Sequence, residues 1–119
     1  MVDHKLGAME TKFAELIWDH EPIASGELVK ICEKELSWKK STTYTMLRRL
    51  CERRIFENKS GVVSALLTKQ EFQALQSEQF VQETFGGSLP HFLTSFATRR
   101  KLSESEIDEL EKMINQHRR

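Results

Sequence analysis

From Trp38 to Leu50 the chain reads WKKSTTYTMLRRL, and the periodicity of this stretch constrains the fold more than any other feature. Thr43, Met46, Leu47 and Leu50 recur at the i, i+3, i+4, i+7 spacing that lays one apolar stripe along a helix and turns it toward a core. Ser41, Thr45, Arg48 and Glu52 fall on the opposite side. A helix divided in this way needs other elements to pack against. Its free face offers hydroxyls and guanidiniums, which reach base edges and phosphates when a helix lies in a major groove. A solvated surface helix has the same pattern, so the distribution of charge has to decide between the two.

Overall the chain is neutral, with 18 Lys/Arg against 18 Asp/Glu, and this balance hides a segregation. Residues 1–37 hold four basic against eight acidic side chains, residues 38–59 seven against two, and residues 60–119 seven against eight. The cationic excess thus falls on one helix and the segment after it. Such a local excess is the footprint of a module that neutralises a few phosphates.

The flanking segments complete a recognisable order. Leu6, Met9, Phe13, Leu16, Ile17 and Trp18 predict the apolar side of a first helix that stops before Glu21-Pro22. Ser25-Gly26 opens a second helix, with Leu28, Ile31 and Cys32 inward and Leu36-Ser37 at its end. Trp18 and Trp38 are expected to serve as packed wedges between helices. After the basic helix, Ile55–Lys59 and Val62–Leu67 flank Ser60-Gly61 and predict a β-hairpin. Helix, helix, basic helix and hairpin is the order of a winged helix-turn-helix domain, whose third helix enters the major groove while the hairpin rides on the backbone. Lys59 alone makes the hairpin tip weakly basic, which suits a phosphate contact and no base reading.

Beyond Leu67 the pattern changes. Thr68-Lys69-Gln70-Glu71 and Ser103-Glu104-Ser105-Glu106 have the S/T-x-x-E form of a capping box, and Gly86-Gly87-Ser88-Leu89-Pro90 ends one helix and starts the next. Leu89, Phe92, Leu93, Phe96 and Ala97 form one stripe, and Ile107, Leu110, Met113 and Ile114 form another. These faces have nothing to cover them in a small wing domain, so a homodimer is expected. The expected fold class is mainly α with a small β-hairpin wing: a winged-helix DNA-binding domain over residues 1–68 and a helical dimerisation domain over 69–119.

Several function classes are disfavoured. His4, His20, His91 and His117 are scattered, with no HExxH motif, glycine-rich phosphate loop or nucleophile elbow, so neither an enzyme nor a metal or cofactor site is expected. Cys32 and Cys51 lack CxxC spacing and are expected to be reduced packing residues. Without a charged-then-apolar leader, or an apolar run near the roughly 18 residues that span a bilayer, a cytoplasmic protein with no membrane insertion is expected. Two other readings stay open: a winged helix that docks an acidic protein partner, and a DNA-binding regulator that senses a ligand directly.

Leu6, Glu10, Phe13, Ile17 and Trp18, then Glu27-Leu28, then Trp38 with Thr42, Thr45, Leu47, Arg49 and Leu50, then Phe85-Gly86-Gly87-Ser88, Leu102-Ser103 and Glu109-Leu110, together resemble the penicillinase-repressor family across nearly the whole chain. The resemblance implies a dimeric transcriptional repressor that binds inverted-repeat operators in double-stranded DNA. In its best-known branch the operators control β-lactam resistance genes, and a membrane sensor protease ends repression when the repressor is cut in its dimerisation region. Thr42, Thr45 and Arg49 match family positions that approach DNA, and Lys39, Ser41, Arg48 and Lys59 complete the expected DNA-binding set. Tyr44 stands where a basic residue is common, which suits apolar contact with a thymine methyl. Lys39 replaces a frequent serine cap, Lys40 a frequent proline, and Arg53-Arg54 a usual Lys-Gly. Ser95-Phe96 occupies the place of the Asn-Phe cut site, with Phe96 also expected in the dimer core. The copper-responsive branch ends in paired CxC motifs, whereas this chain ends in His117-Arg118-Arg119, so copper sensing is not expected.

Overall fold

A computed structural model describes residues 3–119. Six helices and three short strands follow in the order α1 (Ala8–His20), β1 (Ile23–Ala24), α2 (Ser25–Leu36), α3 (Lys40–Glu52), β2 (Phe56–Lys59), β3 (Val62–Ala65), α4 (Lys69–Phe85), α5 (Leu89–Arg99) and α6 (Glu104–His117). The fold is mainly helical, a winged helix followed by a helical C-terminal region. Two compact units are distinguished, the first ending at Gln79 and the second starting at Phe80.

In the first unit, Phe13, Ala14 and Ile17 of α1, Leu28 and Cys32 of α2, and Leu47 and Leu50 of α3 converge with Ile55, Phe56 and Val63 of the wing. Two aromatic contacts fix the helices. Trp38, just ahead of α3, lies 5.2 Å from Phe13, and Trp18 lies 5.2 Å from Phe56 and 5.6 Å from Phe72. Trp18 also donates its indole N–H to the Leu67 carbonyl at 2.9 Å, so its polar edge is satisfied within the core. Both tryptophans are thus packing wedges.

The hairpin forms because Ser60 and Gly61 adopt positive φ, 51° and 86°, the twist that closes a two-residue turn between antiparallel strands. A third strand was not foreseen. β1 pairs Ile23 with Val63 and Ala24 with Val62, giving sheet order β1-β3-β2 with the hairpin's second strand central. Ile55 is buried but precedes β2, and Leu66 and Leu67 follow β3 outside the pairing. Leu6 precedes α1 instead of belonging to it, and Met9 is exposed, because the buried stripe of α1 runs through Phe13, Ala14 and Ile17.

Both capping boxes close reciprocally: Glu71 N–H to Thr68 Oγ1 at 3.0 Å with Thr68 N–H to Glu71 Oε1 at 2.9 Å, and Glu106 N–H to Ser103 Oγ at 3.1 Å with Ser103 N–H to Glu106 Oε1 at 3.0 Å. Ser88 caps α5 through His91 N–H, with Pro90 in the first turn. The 17-residue α4 starts on the core of the first unit, where Phe72 is 2% exposed. The domain boundary expected at 68/69 coincides with this helix start, while the division into units falls within α4, at 79/80.

In the second unit Phe80, Phe85, Phe92 and Phe96 form a ladder of edge-on and tilted rings with centroids 5.6–6.2 Å apart. None of its residues is fully buried.

Candidate nucleic-acid interface

α3 turns Thr43, Leu47 and Leu50 into the core, and this orientation decides what it leaves outside. Lys39, Ser41, Thr42, Arg48 and Arg49 are exposed and Thr45 is half-exposed. Lys39 is the N-cap residue but makes no capping bond with its side chain, so the first-turn amides of α3 are left for solvent or a ligand beside Lys39 and Lys40. Positive helix end and ammonium groups favour an anion at the same place. Among the described residues the Arg49 side chain has one polar contact, a long one from Nη1 to Met46 Sδ, 3.8 Å, which leaves its guanidinium available.

The expected DNA-binding residues are not one continuous row. Tyr44, Thr45 and Arg48 line a depression of about 380 Å³ with Leu47, Cys51 and Asn58, between α3 and the wing. Lys39 lines a separate depression with Lys40, Trp38, Ser37 and Glu33. Lys59 is exposed at the end of β2, with Glu57 3.9 Å away, a separation at which an exposed pair holds the ammonium only weakly. Tyr44 is half-buried and packed against the core, and its hydroxyl donates to Ser25 Oγ at 3.2 Å. Arg53 is turned away from this face: its Nη1 donates to the Lys5 carbonyl at 2.6 Å, pinning the N-terminal segment to the end of α3.

Burial pushes the Cys51 and Cys32 thiols above their ordinary range, so neither is primed as a thiolate, and both are free. No group of three or more His, Cys, Asp or Glu suited to a metal occurs among the described residues. Among the same residues no helix is long and apolar enough to cross a membrane.

In the second unit Phe92, Leu93 and Phe96 of α5 and Leu110 and Met113 of α6 line one apolar groove of about 430 Å³. Leu89, Ile107 and Ile114 lie outside its lining. Ser95 is half-exposed, and Phe96, expected to be buried, is 40% exposed in the single chain, where it lines this open groove. One arrangement at this groove escaped sequence reasoning. Arg100 places its guanidinium 4.9 Å from the Phe96 ring centroid and forks onto Glu106, Nη1 to Oε1 at 3.2 Å and Nη2 to Oε2 at 2.6 Å. The Arg100 fork, aided by the Ser103 amide, holds the Glu106 carboxyl down to about 2. The only signal in the sequence was the capping box itself, which placed Glu106 but gave no partner for it.

Three helices, a cationic third helix and a β-hairpin define a winged-helix transcriptional regulator. The sequence matches the penicillinase repressor family over residues 6–116, and the chain belongs to that family, whose members are repressors and not enzymes. Similar proteins include the penicillinase repressor of Bacillus licheniformis, 26% identical over 113 residues that cover 92% of this chain and 88% of the relative. The methicillin resistance regulatory protein MecI of Staphylococcus aureus strain Mu50 is 21% identical over 116 residues, 94% of each chain. That of Mammaliicoccus sciuri is 20% identical over the same length.

Proposed function

We propose that this chain is a homodimeric repressor that inserts α3 of each protomer into the major groove of an inverted-repeat operator in double-stranded DNA. The observation that carries this reading is the division of α3: Thr43, Leu47 and Leu50 are sealed in the core, while Ser41, Thr42, Arg48 and Arg49 project into solvent from the one cationic segment of the chain. Thr42, Thr45 and Arg49 read or position on the bases, and Lys39 and Lys59 hold phosphates. The names of the relatives favour genes of β-lactam resistance as targets.

Residues 80–119 supply the dimer contact. A segment of this length with no fully buried residue cannot offset its own conformational entropy, and oligomerisation is the usual remedy at such sizes. Covering the groove at Phe92, Leu93, Phe96, Leu110 and Met113, together with Leu89, Ile107 and Ile114, supplies the missing burial. Repression ends when a membrane sensor protease cuts Ser95-Phe96, which separates α6 from the stripe of α5. Mass spectrometry of the protein recovered from derepressed cells should find fragments split at that bond. Splits elsewhere, or full-length protein alone, would refute this route of release.

Footprinting on DNA enriched by the purified protein tests the reading. A protected dyad is expected, and Arg49→Ala should either flatten the salt dependence by about one phosphate equivalent per half-site or relax one base position by about 1–3 kcal/mol. An unprotected duplex, or an Arg49→Ala variant that binds like the parent, rejects α3 as the reader.

A further inference from the structure

A chain of hydrogen bonds joins the DNA-facing helix to the wing through a third element. Tyr44 of α3 donates its hydroxyl to Ser25 Oγ at the start of α2, 3.2 Å away. The Ser25 backbone N–H donates in turn to the carbonyl of Gly61 at the hairpin tip, at 2.8 Å. Gly61 N–H donates to Asn58 Oδ1 at 3.1 Å, closing the turn that presents Lys59 and Ser60. Gly61 holds φ at 86°, a left-handed conformation that glycine adopts without steric cost. The pairing of β1 with β3 extends the same seam, since Ala24, the residue before Ser25, pairs with Val62, the residue after Gly61.

A side chain at position 44 that reached outward would have its polar end in solvent. Tyr44 instead is half-buried, with its ring against the core and its hydroxyl engaged on α2. We propose that Tyr44 is a positioning residue that acts through Ser25 to fix the wing tip relative to α3, so that Lys59 meets phosphate while α3 is seated in the groove. The proposal rests on the reading of α3 as the DNA-binding helix. It replaces direct contact of Tyr44 with a base by a contact of the wing that Tyr44 holds in register. A wing released from this tie still carries Lys59 but spends part of its time out of reach of the backbone, which costs affinity without altering the base-facing side chains.

The test is a double-mutant cycle on the full-length protein, with a duplex enriched by the parent protein from a random-sequence pool. Tyr44→Phe keeps the ring and removes the donor, and Ser25→Ala removes the acceptor while keeping the backbone bond to Gly61. Either should weaken binding about fivefold per half-site, the loss of one neutral hydrogen bond. The salt dependence should become shallower by up to about one phosphate equivalent per half-site, with base preference unchanged. Lys59→Ala should produce the same shallower slope in the parent and little further change in Tyr44→Phe, a non-additivity that a merely stabilising bond would not create. If Lys59→Ala has its full effect in Tyr44→Phe, or none in the parent, the positioning role is wrong. Should Tyr44→Phe fail to fold, Ser25→Ala carries the same cycle. Arg49→Ala separates the two levels: if it binds like the parent, the reading of α3 fails, whereas if it weakens binding while the Tyr44–Lys59 cycle is additive, only the positioning role fails.

Discussion

Replacing Phe72 with alanine tests whether the first half of α4 belongs to the core of the winged helix. Phe72 belongs to α4 yet is 2% exposed, packed on Trp18 of α1 at 5.6 Å and edge-on to the His4 ring at 6.0 Å. Truncating a buried phenylalanine costs about 3–5 kcal/mol, because the ring's transfer free energy is lost and the space it leaves collapses only in part. A small domain is stable by about 5–15 kcal/mol, so the loss consumes a large share of that margin. With urea m-values of about 1–3 kcal/mol/M for small proteins, the midpoint of the first unit should fall by about 2 M. Urea unfolding followed by tryptophan fluorescence reads this directly, since Trp18 is one of the two tryptophans and touches the deleted ring. If Phe72 were only part of a surface shared with another protomer, the substitution would spare the midpoint of the isolated chain. A shift below about 0.5 M therefore refutes the assignment of the first half of α4 to the core of the winged helix.

The remaining expectations concern the second unit. Glu106 is held at about 2 by the Arg100 fork, below an ordinary value of 4.5, so its contribution is complete above that ordinary value and is lost as pH falls toward 2. Carboxyl NMR titration should show this depressed midpoint, and Arg100→Ala should return it toward the ordinary range; a Glu106 that titrates normally in the parent contradicts the fork. Phe92→Asp places a charge in the apolar groove and should give monomers in sedimentation at micromolar concentration where the parent gives dimers. Dimers of unchanged strength would show that the groove is not the contact.

Much of this fold was legible because its signals are local. The stripe at Thr43, Met46, Leu47 and Leu50, of which Met46 is only half-buried, the Ser60-Gly61 turn and both S/T-x-x-E boxes each need only a few adjacent residues to express their geometry, and each forms where the pattern placed it. What the pattern missed is non-local. β1 consists of Ile23 and Ala24, too short to show alternation, and exists only because Val62 and Val63 pass beside it. Phe72 reads as one more apolar residue of an amphipathic helix until Trp18 is known to lie opposite it. The capping box at Thr68 marks where α4 begins and carries no information about which core the helix joins. At the candidate interface, hydroxyl and guanidinium side chains at helical spacing indicated an exposed face. The engagement of Tyr44 with Ser25, and of Arg53 with the Lys5 carbonyl, depends on tertiary contacts that spacing cannot report.

On the proposed route of release, the uneven distribution of burial would make a cut in α5 an economical way to end repression. Every fully buried side chain among the described residues lies at or before Phe72, so the winged helix keeps its core whatever happens beyond it. Between Phe80 and Arg119 order rests on helix hydrogen bonds, the phenylalanine ladder and the Arg100–Glu106 fork, none of them deeply shielded from water in the single chain. Segments of this kind open locally at free energies well below that of global unfolding, and a peptide bond inside a helix becomes available to a protease only through such an opening. Arg100 is stacked on Phe96 and fastened to the first turn of α6, so opening at Ser95-Phe96 also loosens the start of α6. Under the proposed function, a cut there would leave the exposed residues of α3 unchanged and remove the linkage between two half-site contacts. Losing that linkage should lower affinity by roughly a hundredfold or more without altering a single contact to DNA, as the proposed dimer requires.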